Sequence, residues 1–419
     1  MVANYMYQSS ITAIRGEAKA FNVISANIAN ATTPGHKAES ALFSDLLVDR
    51  NKSTFSAFRG ANSRVRTDIF KEGVVTASNG EFDIALSGKG FFVVNSELDG
   101  SGTTLLTDSG EFQRTLLTIG GEEQAFITDS AGNFVQGFPF DSTTGTFNTS
   151  TALGSTSPIR IDETSQIFDA EATTAVTIDA NIPPDTAENS FFDIGFNIFD
   201  GTGLSDGIGD AREINARFTK NATINEWSVT FSGDDATITS PAAAVTMTFD
   251  ATGTLVSPTT QALDVTFANP AVSNSVTIDF SNMGSLANQF VLREVSNNGF
   301  LEGNLDNSVI QSDGVVLGTF TNGQTRPVAK IPIADLVNPE SLVQATDTHF
   351  ALGAGSGNVT LFEVDRTGRA TIISAALENS TTDIANEFTK LILTQQAYNS
   401  AARTLKTVDD LLETATNLK

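Results

Sequence analysis

Apolar side chains recur at every seventh position near the end of the chain, at Leu377, Ile384, Leu391, Tyr398, Leu405 and Leu412. Such a repeat predicts a long helix with one seam. The alternate seam positions are weaker: Phe388 and Ala402 are apolar, but Gln395, Asp409 and Thr416 are not. A self-sufficient two-stranded coil is therefore poorly specified, and the seam needs other partners. A continuous helix from Thr382 to Leu418 would run roughly 55 Å at about 1.5 Å per residue. At the other end, Tyr7, Ile14, Phe21 and Ile28 repeat every seven, with Ile11, Ala18 and Ser25 between them. This second helix stops at Thr32-Thr33-Pro34-Gly35. Each seam side chain left in water forfeits about 1.5–3 kcal/mol, while ordering the backbone costs about 1–2 kcal/mol per residue. Either helix alone should fray. The two most simply lie antiparallel as a pair, and a pair still has outward faces to bury.

Between the ends the period changes from that of a helix to that of a strand. Phe82-Asp83-Ile84-Ala85-Leu86 alternates, Gly90-Phe91-Phe92-Val93-Val94 is a short buried run, and Ala125-Phe126-Ile127-Thr128 continues the theme. Asp108-Ser109-Gly110, Asp129-Ser130-Ala131-Gly132, Asp141 to Gly145, Asp250-Ala251-Thr252-Gly253 and Asp365-Arg366-Thr367-Gly368 all place aspartate before a nearby glycine. Aspartate can cap such a turn and glycine accepts the positive φ, so antiparallel hairpins are expected. Further alternating runs at Ala175–Ile178, Trp227–Phe231 and Val276–Phe280 predict a second β region, and Gly314–Phe320 and Val328–Ile333 read as returning strands that complete the first sheet.

Charge sharpens this division. The chain has 419 residues and a net charge of −25, and residues 145–290 carry 18 acidic and 4 basic side chains, or −14 of that total. The abrupt change marks an inserted acidic outer domain. Residues 43–73 are the most basic stretch, with Arg50, Lys52, Arg59, Arg64, Arg66 and Lys71, which suits contacts with acidic groups of a neighbouring molecule. The acidic balance argues against nucleic acid and anionic membranes as partners. No run of about 18 apolar residues is available to cross a bilayer, and Met1–Ile11 lacks the basic region and apolar core of a secretory signal. Cysteine is absent, so there is no thiolate chemistry.

The expected fold is therefore mixed α and all-β and multidomain. Long terminal helices pair as a coiled-coil-like core (1–31 and 377–419), joined by a connector (32–73 and 353–376) to a discontinuous β domain (74–144 and 291–352) that carries the inserted β domain (145–290). Little in the chain suggests catalysis. His36 and His349 sit in neither a nucleophile elbow nor a metal-ligand spacing. Asp200, Asp206 and Asp210 resemble an acidic cation loop, but Thr202 and Leu204 stand where oxygen-rich ligands would be wanted. Gly353 to Gly357 lacks the lysine and hydroxyl of a phosphate loop. No catalytic residue, cofactor or metal is expected. Asn27 and Asn30, polar near the end of a helix, are expected to hydrogen-bond at a packed junction.

The segment Ser25-Ala26-Asn27-Ile28-Ala29-Asn30-Ala31-Thr32-Thr33-Pro34-Gly35-His36-Lys37 resembles the N-terminal signature of bacterial flagellar rod and hook axial proteins, with His36 where that family usually has phenylalanine. The run Leu377-Glu378-Asn379-Ser380, Asp383-Ile384, Glu387-Phe388, Leu391-Ile392, Gln395 to Tyr398 and Lys406 to Asp409 is similar to the family's other signature; Thr381 and Gln396 replace its common asparagine and arginine. Ser87–Phe92 and Thr107–Phe112 also match shared segments. The resemblance implies a tubular helical homopolymer whose core seam is formed by Tyr7, Ile11, Ile14, Phe21, Ile28, Leu377, Ile384, Phe388, Leu391, Tyr398, Leu405 and Leu412. Length and the large insertion favour the hook type over a distal rod protein; a secreted β-rich adhesin is the reading from a different class. The implied partners are many copies of the chain itself, rod, hook-cap and hook-filament junction proteins, and an export apparatus. The implied location is the extracellular part of a flagellum, reached without a cleaved signal peptide.

Overall fold

The computed structural model describes residues 2–45, 61–163, 166–201, 211–234, 236–267, 273–286, 289–346, 348–364 and 369–417. Arg50, Lys52, Arg59, Asp206, Asp210 and the turn from Asp365 to Gly368 lie outside them. The chain divides into two compact units. The first comprises 1–162, 308–318 and 326–419, the second 163–307 and 319–325.

In the first unit, helix α1 (Val2–Ala29) and helix α2 (Ile384–Asn417) pack on each other. They run antiparallel, since Asn27 meets Glu387 while Ala18 and Phe21 face Thr394 and Tyr398. Helix α2 starts at Ile384 because Asp383 caps it: its Oδ1 accepts the backbone N–H groups of Ala385 and Asn386 at 3.0 and 3.1 Å. Leu377, expected in the helical seam, instead lies in the strand Ala376–Glu378, which pairs with Val75–Ala77. Its neighbours Glu378 and Thr381 are held by side chains and backbone from the N-terminal segment and the loop at 71–73, which stops the helix from extending back to it. After α1, strands Glu39–Asp45 and Ala61–Thr67 pair antiparallel and lie against the helix, where Lys19 Nζ donates to the Ser63 carbonyl at 3.0 Å.

The β part of this unit draws strands from both sides of the insertion. Phe92–Asn95 pairs with Thr104–Thr107 and, through Val94 and Asn95, with Phe134–Asp141. The returning chain adds His349–Ala351 beside Thr104–Thr107, and Ala329 and Lys330 opposite Pro139 and Phe138. Alternation places Phe91, Leu106, Phe138 and Phe350 in a shared core. Residues 353–376 are not merely connecting: Val359–Phe362 pairs with Ile333–Leu336, and Ala370–Ser374 with Ile84–Gly88.

The second unit contains a ten-stranded sheet, whose strand pairs among the described residues are antiparallel except where Ala175–Asn181 pairs with Ser273–Asp279. Alternation along Phe191–Ile198, Arg212–Lys220 and Thr260–Phe267 sends every second side chain into one core, filled by Phe218, Trp227, Phe267 and Phe280. The aspartate-glycine turns form as their chemistry dictates. Asp250 Oδ1 accepts the N–H groups of Thr252 and Thr254 at 2.8 and 2.9 Å, and Gly253 takes φ +82°. In the first unit Asp129 and Asp141 do the same, with Gly132 and Gly145 at φ +87° and +67°. Asp108 is the exception, since its carboxylate points to Lys37 and Gly110 is not among the glycines of positive φ.

Candidate functional site

The two helices bury different faces from those marked by the seven-residue repeat. In α1 the buried side chains are Ser10, Ala20, Val23, Ile24 and Asn27, the last four at the i, i+3, i+4, i+7 spacing of one helix face. Tyr7, Ile11, Ile14 and Ile28 are only half-buried, and Phe21 is exposed. In α2 the buried positions are Glu387, Thr394 and Val408, with Leu391 and Leu405 half-buried. Ile384, Phe388, Tyr398 and Leu412 are exposed, and Ile392, Leu393 and Leu411, which the repeat did not mark, are exposed with them. Phe388, Ile392 and Leu393 are 49%, 55% and 59% exposed. Exposed apolar side chains gathered on one helix are a feature that interaction surfaces present. Between the helices runs an open groove of about 430 Å³, lined by Glu17, Phe21, Asn22, Gln395, Tyr398 and Asn399 among others.

At the base of the pair, signature residues join the two chain ends to the β domain. Asn27, fully buried, donates from Nδ2 to the Glu39 carbonyl at 2.8 Å and to Glu387 Oε2 at 3.3 Å, while its Oδ1 accepts the Glu39 N–H. Asn30 Nδ2 donates to the Ala26 carbonyl, and its Oδ1 accepts the Thr33 hydroxyl, which closes the helix end. Ser25 and Ala29 are exposed. Gly35 has φ +72°, and a Cβ there would sit 2.6 Å from the backbone of Ser109. Only glycine fits both the conformation and the approach. Its N–H donates to the Glu378 carbonyl at 2.8 Å. Lys37 is buried and reaches Glu378 Oε1 at 2.9 Å, Asp108 Oδ2 at 3.3 Å and the Lys71 carbonyl at 3.1 Å. Glu378 also accepts the Gly73 N–H, and Thr381 Oγ1 accepts the Ala38 N–H at 2.8 Å. Burial lowers the Lys37 ammonium, but Asp108 and Glu378 outweigh it and hold the group above its ordinary range. Asp108 is pushed up to about 7, chiefly by burial, with Lys37 pulling down and Glu378 and Glu72 pushing up.

His349, the other histidine, closes a turn. Its Nε2 lies 2.6 Å from Asp129 Oδ2, and its Nδ1 meets the hydroxyls of Thr346 and Thr348 at 2.8 and 3.1 Å. Burial raises Asp129, but hydrogen bonds from His349 and Asn133 outweigh it and hold the carboxyl below its ordinary value. Among the described residues no group of three or more His, Asp or Glu side chains is placed to hold a metal ion, and no helix is long and apolar enough to cross a membrane. Lys37, Asp108 and Glu378 all stand in segments that carry the resemblance, but their contact is not legible in the sequence, because Asp108 and Glu378 lie far from Lys37 along the chain.

Comparison with known proteins places these features. Residues 8–37 match the family model "Flagella basal body rod protein", residues 168–300 "Flagellar basal body protein FlaE D2 domain", and residues 373–418 "Flagellar basal body rod FlgEFG protein C-terminal". The chain is 27% identical to the flagellar hook protein FlgE of Salmonella typhimurium, over 99% of this chain and 100% of that protein. It is also 27% identical to the FlgE of Escherichia coli, with the same coverage, and to that of Rhizobium meliloti, over 98% of each chain. Among solved structures it is similar to the crystal structure of the Helicobacter pylori flagellar hook protein FlgE2, at 16% identity and a TM-score of 0.38 over 73% of this chain. With matched segments at both ends and in the acidic insertion, and hook proteins aligned along its full length, the chain belongs to the bacterial flagellar rod and hook axial protein family, as a member of the hook type.

Proposed function

We propose that this chain is the structural subunit of a flagellar hook, which self-assembles into a curved helical tube that passes torque from rod to filament as a universal joint. The observation that carries this reading is the exposed apolar surface of α2, at Phe388, Ile392, Leu393 and Tyr398, on a helix already paired within its own subunit. Copies of the same chain, repeated by an off-axis contact that does not close into a ring, would cover that surface and generate an open tube. The layers of the subunit follow: 1–31 and 377–419 innermost, the connector, the discontinuous β domain, and 145–290 outermost, where an acidic surface suits wet contacts that slide as the tube bends. The seam from Tyr7 to Ile28 and from Ile384 to Leu412 forms the polymer core in this arrangement. The family supplies the remaining partners, namely rod, cap and junction proteins at the ends of the tube and an export apparatus that delivers the chain.

Phe388→Lys tests the reading. The side chain is 49% exposed in the subunit, so the monomer's melting midpoint should stay within about 2 °C. An ammonium buried without a partner at every subunit contact costs several kcal/mol and should abolish sedimentable polymer. Unchanged polymer, or a clearly destabilised monomer, defeats the assignment of this face to the tube.

A further inference from the structure

Lys37 stands where three parts of the first unit meet: the signature segment after α1, the turn at Thr107–Gly110, and the strand Ala376–Glu378 that leads into α2. Lys37, Asp108 and Glu378 are 4%, 7% and 4% exposed at the side chain. These three groups, together with Glu72, Lys89 and Asp335, are among the residues lining a cavity of about 360 Å³. The charges do not balance. One ammonium lies within ion-pair distance of two buried carboxylates, while Glu72 adds a third negative charge acting on Asp108. Lys71 contributes its carbonyl to Lys37, but its own ammonium is turned to the Thr381 carbonyl. Lys89 lies over the Phe70 ring, 5.5 Å from its centre.

We propose that Lys37, Asp108 and Glu378 form a proton-operated latch that docks both chain ends onto the β domain and loosens when its surplus carboxylate ionises. A buried site with more carboxylates than cations holds a proton on one of them. Asp108 takes that role because Glu378 has the shorter contact to Lys37 and accepts the Gly73 N–H as well. The sign follows from linkage. With the ends docked Asp108 titrates near 7, and with the ends released it returns to its ordinary value of 3.8. Between those values the docked state binds a proton that the released state does not, so docking strengthens as pH falls from 8 towards 4. Lys37, held above its ordinary range, stays charged throughout this window. Between pH 6 and pH 8 the docking equilibrium should weaken about tenfold. Both ends respond together, because the same ammonium holds the N-terminal segment to Glu378 and to Asp108.

Hydrogen exchange on the full-length protein, kept dilute and monomeric, reads this directly when rates are corrected for intrinsic pH dependence. Protection at residues 33–38 and 376–381 should drop about tenfold from pH 6 to pH 8, while protection at Phe92–Asn95 holds. Asp108→Asn, which keeps an oxygen for Lys37 but cannot ionise, should abolish the slope. A carboxyl resonance for Asp108 that titrates near pH 7 supports the latch without any variant. Flat protection in the native chain, an equal slope in Asp108→Asn, or titration of Asp108 below pH 5 would each overturn it.

Discussion

Gly35 concentrates two constraints on one residue. Its φ of +72° costs any side chain, and a Cβ would press within 2.6 Å of the Ser109 main chain, which cannot swing aside as a side-chain tip could. Gly35→Ala should therefore lower the stability of the first unit by about 1–3 kcal/mol from backbone strain alone, with loosening at residues 33–38 visible as faster proteolysis there. Native-like melting and cleavage would show that the two turns do not pack as described. Lys37, two residues on, illustrates a different point: a buried lysine with two carboxylates is a weak source of stability but a sensitive one, since removing Lys37 leaves buried carboxylates without a counter-charge and removing Glu378 takes away the shorter of its two ion pairs. His349 and Asp129 reach full pairing by contrast, with the threonine hydroxyls and Asn133 satisfying the remaining positions.

At the scale of elements, the two faces of α1 have separate tasks. Ala20, Val23, Ile24 and Asn27 face the interior of the subunit, whereas Phe21 borders the open groove towards α2 and is 39% exposed. Ile24→Ala should cost the monomer about 2–5 kcal/mol through lost contacts and a residual cavity, read as a lower denaturation midpoint. Phe21→Ala should leave that midpoint nearly unchanged and act on polymer formation instead. Equal effects of the two changes on the monomer would mean that the seven-residue seam is an internal surface after all. In α2 the same division places Val408 inward and Phe388, Ile392 and Tyr398 outward. Of the polar residues that weaken the seam, Gln395 and Asp409 are exposed, whereas Thr394, one position away from the repeat, is buried.

For the molecule as a whole, the second unit contains a complete core of its own, with Phe218, Trp227, Phe267 and Phe280 fully buried in one cluster. A segment of that size buries about two-thirds of the surface of its unfolded chain, enough for independent folding. Residues 168–300 expressed alone should melt in one cooperative transition, and replacing them by a short Gly/Ser link should leave the first unit folded. A fragment without a cooperative transition, or loss of the first unit on deletion, would show that the two cores depend on each other.

Local pattern was enough to locate both helices, the β middle and the aspartate-glycine turns at Asp129, Asp141 and Asp250. Each depends on residues within a few positions of one another, where helix and strand geometry set the spacing and capping is chemistry between near neighbours. The signature residues were legible as a resemblance, and Asn27 and Asn30 as hydrogen-bonding groups at a junction, but the partners of these residues were not. That Asn27 would reach Glu387, that Gly35 would lie on Ser109, and that Lys37 would sit between Asp108 and Glu378 depend on a β domain that returns the two chain ends to one place. The assignment of helix faces was also decided there. A heptad shows that a seam exists, but burial of Ala20, Val23 and Ile24 is set by which surface meets α2 and the strands beside it. Pattern determines that an apolar face must be covered, because water penalises it wherever it lies; which neighbour covers it is a property of the folded chain.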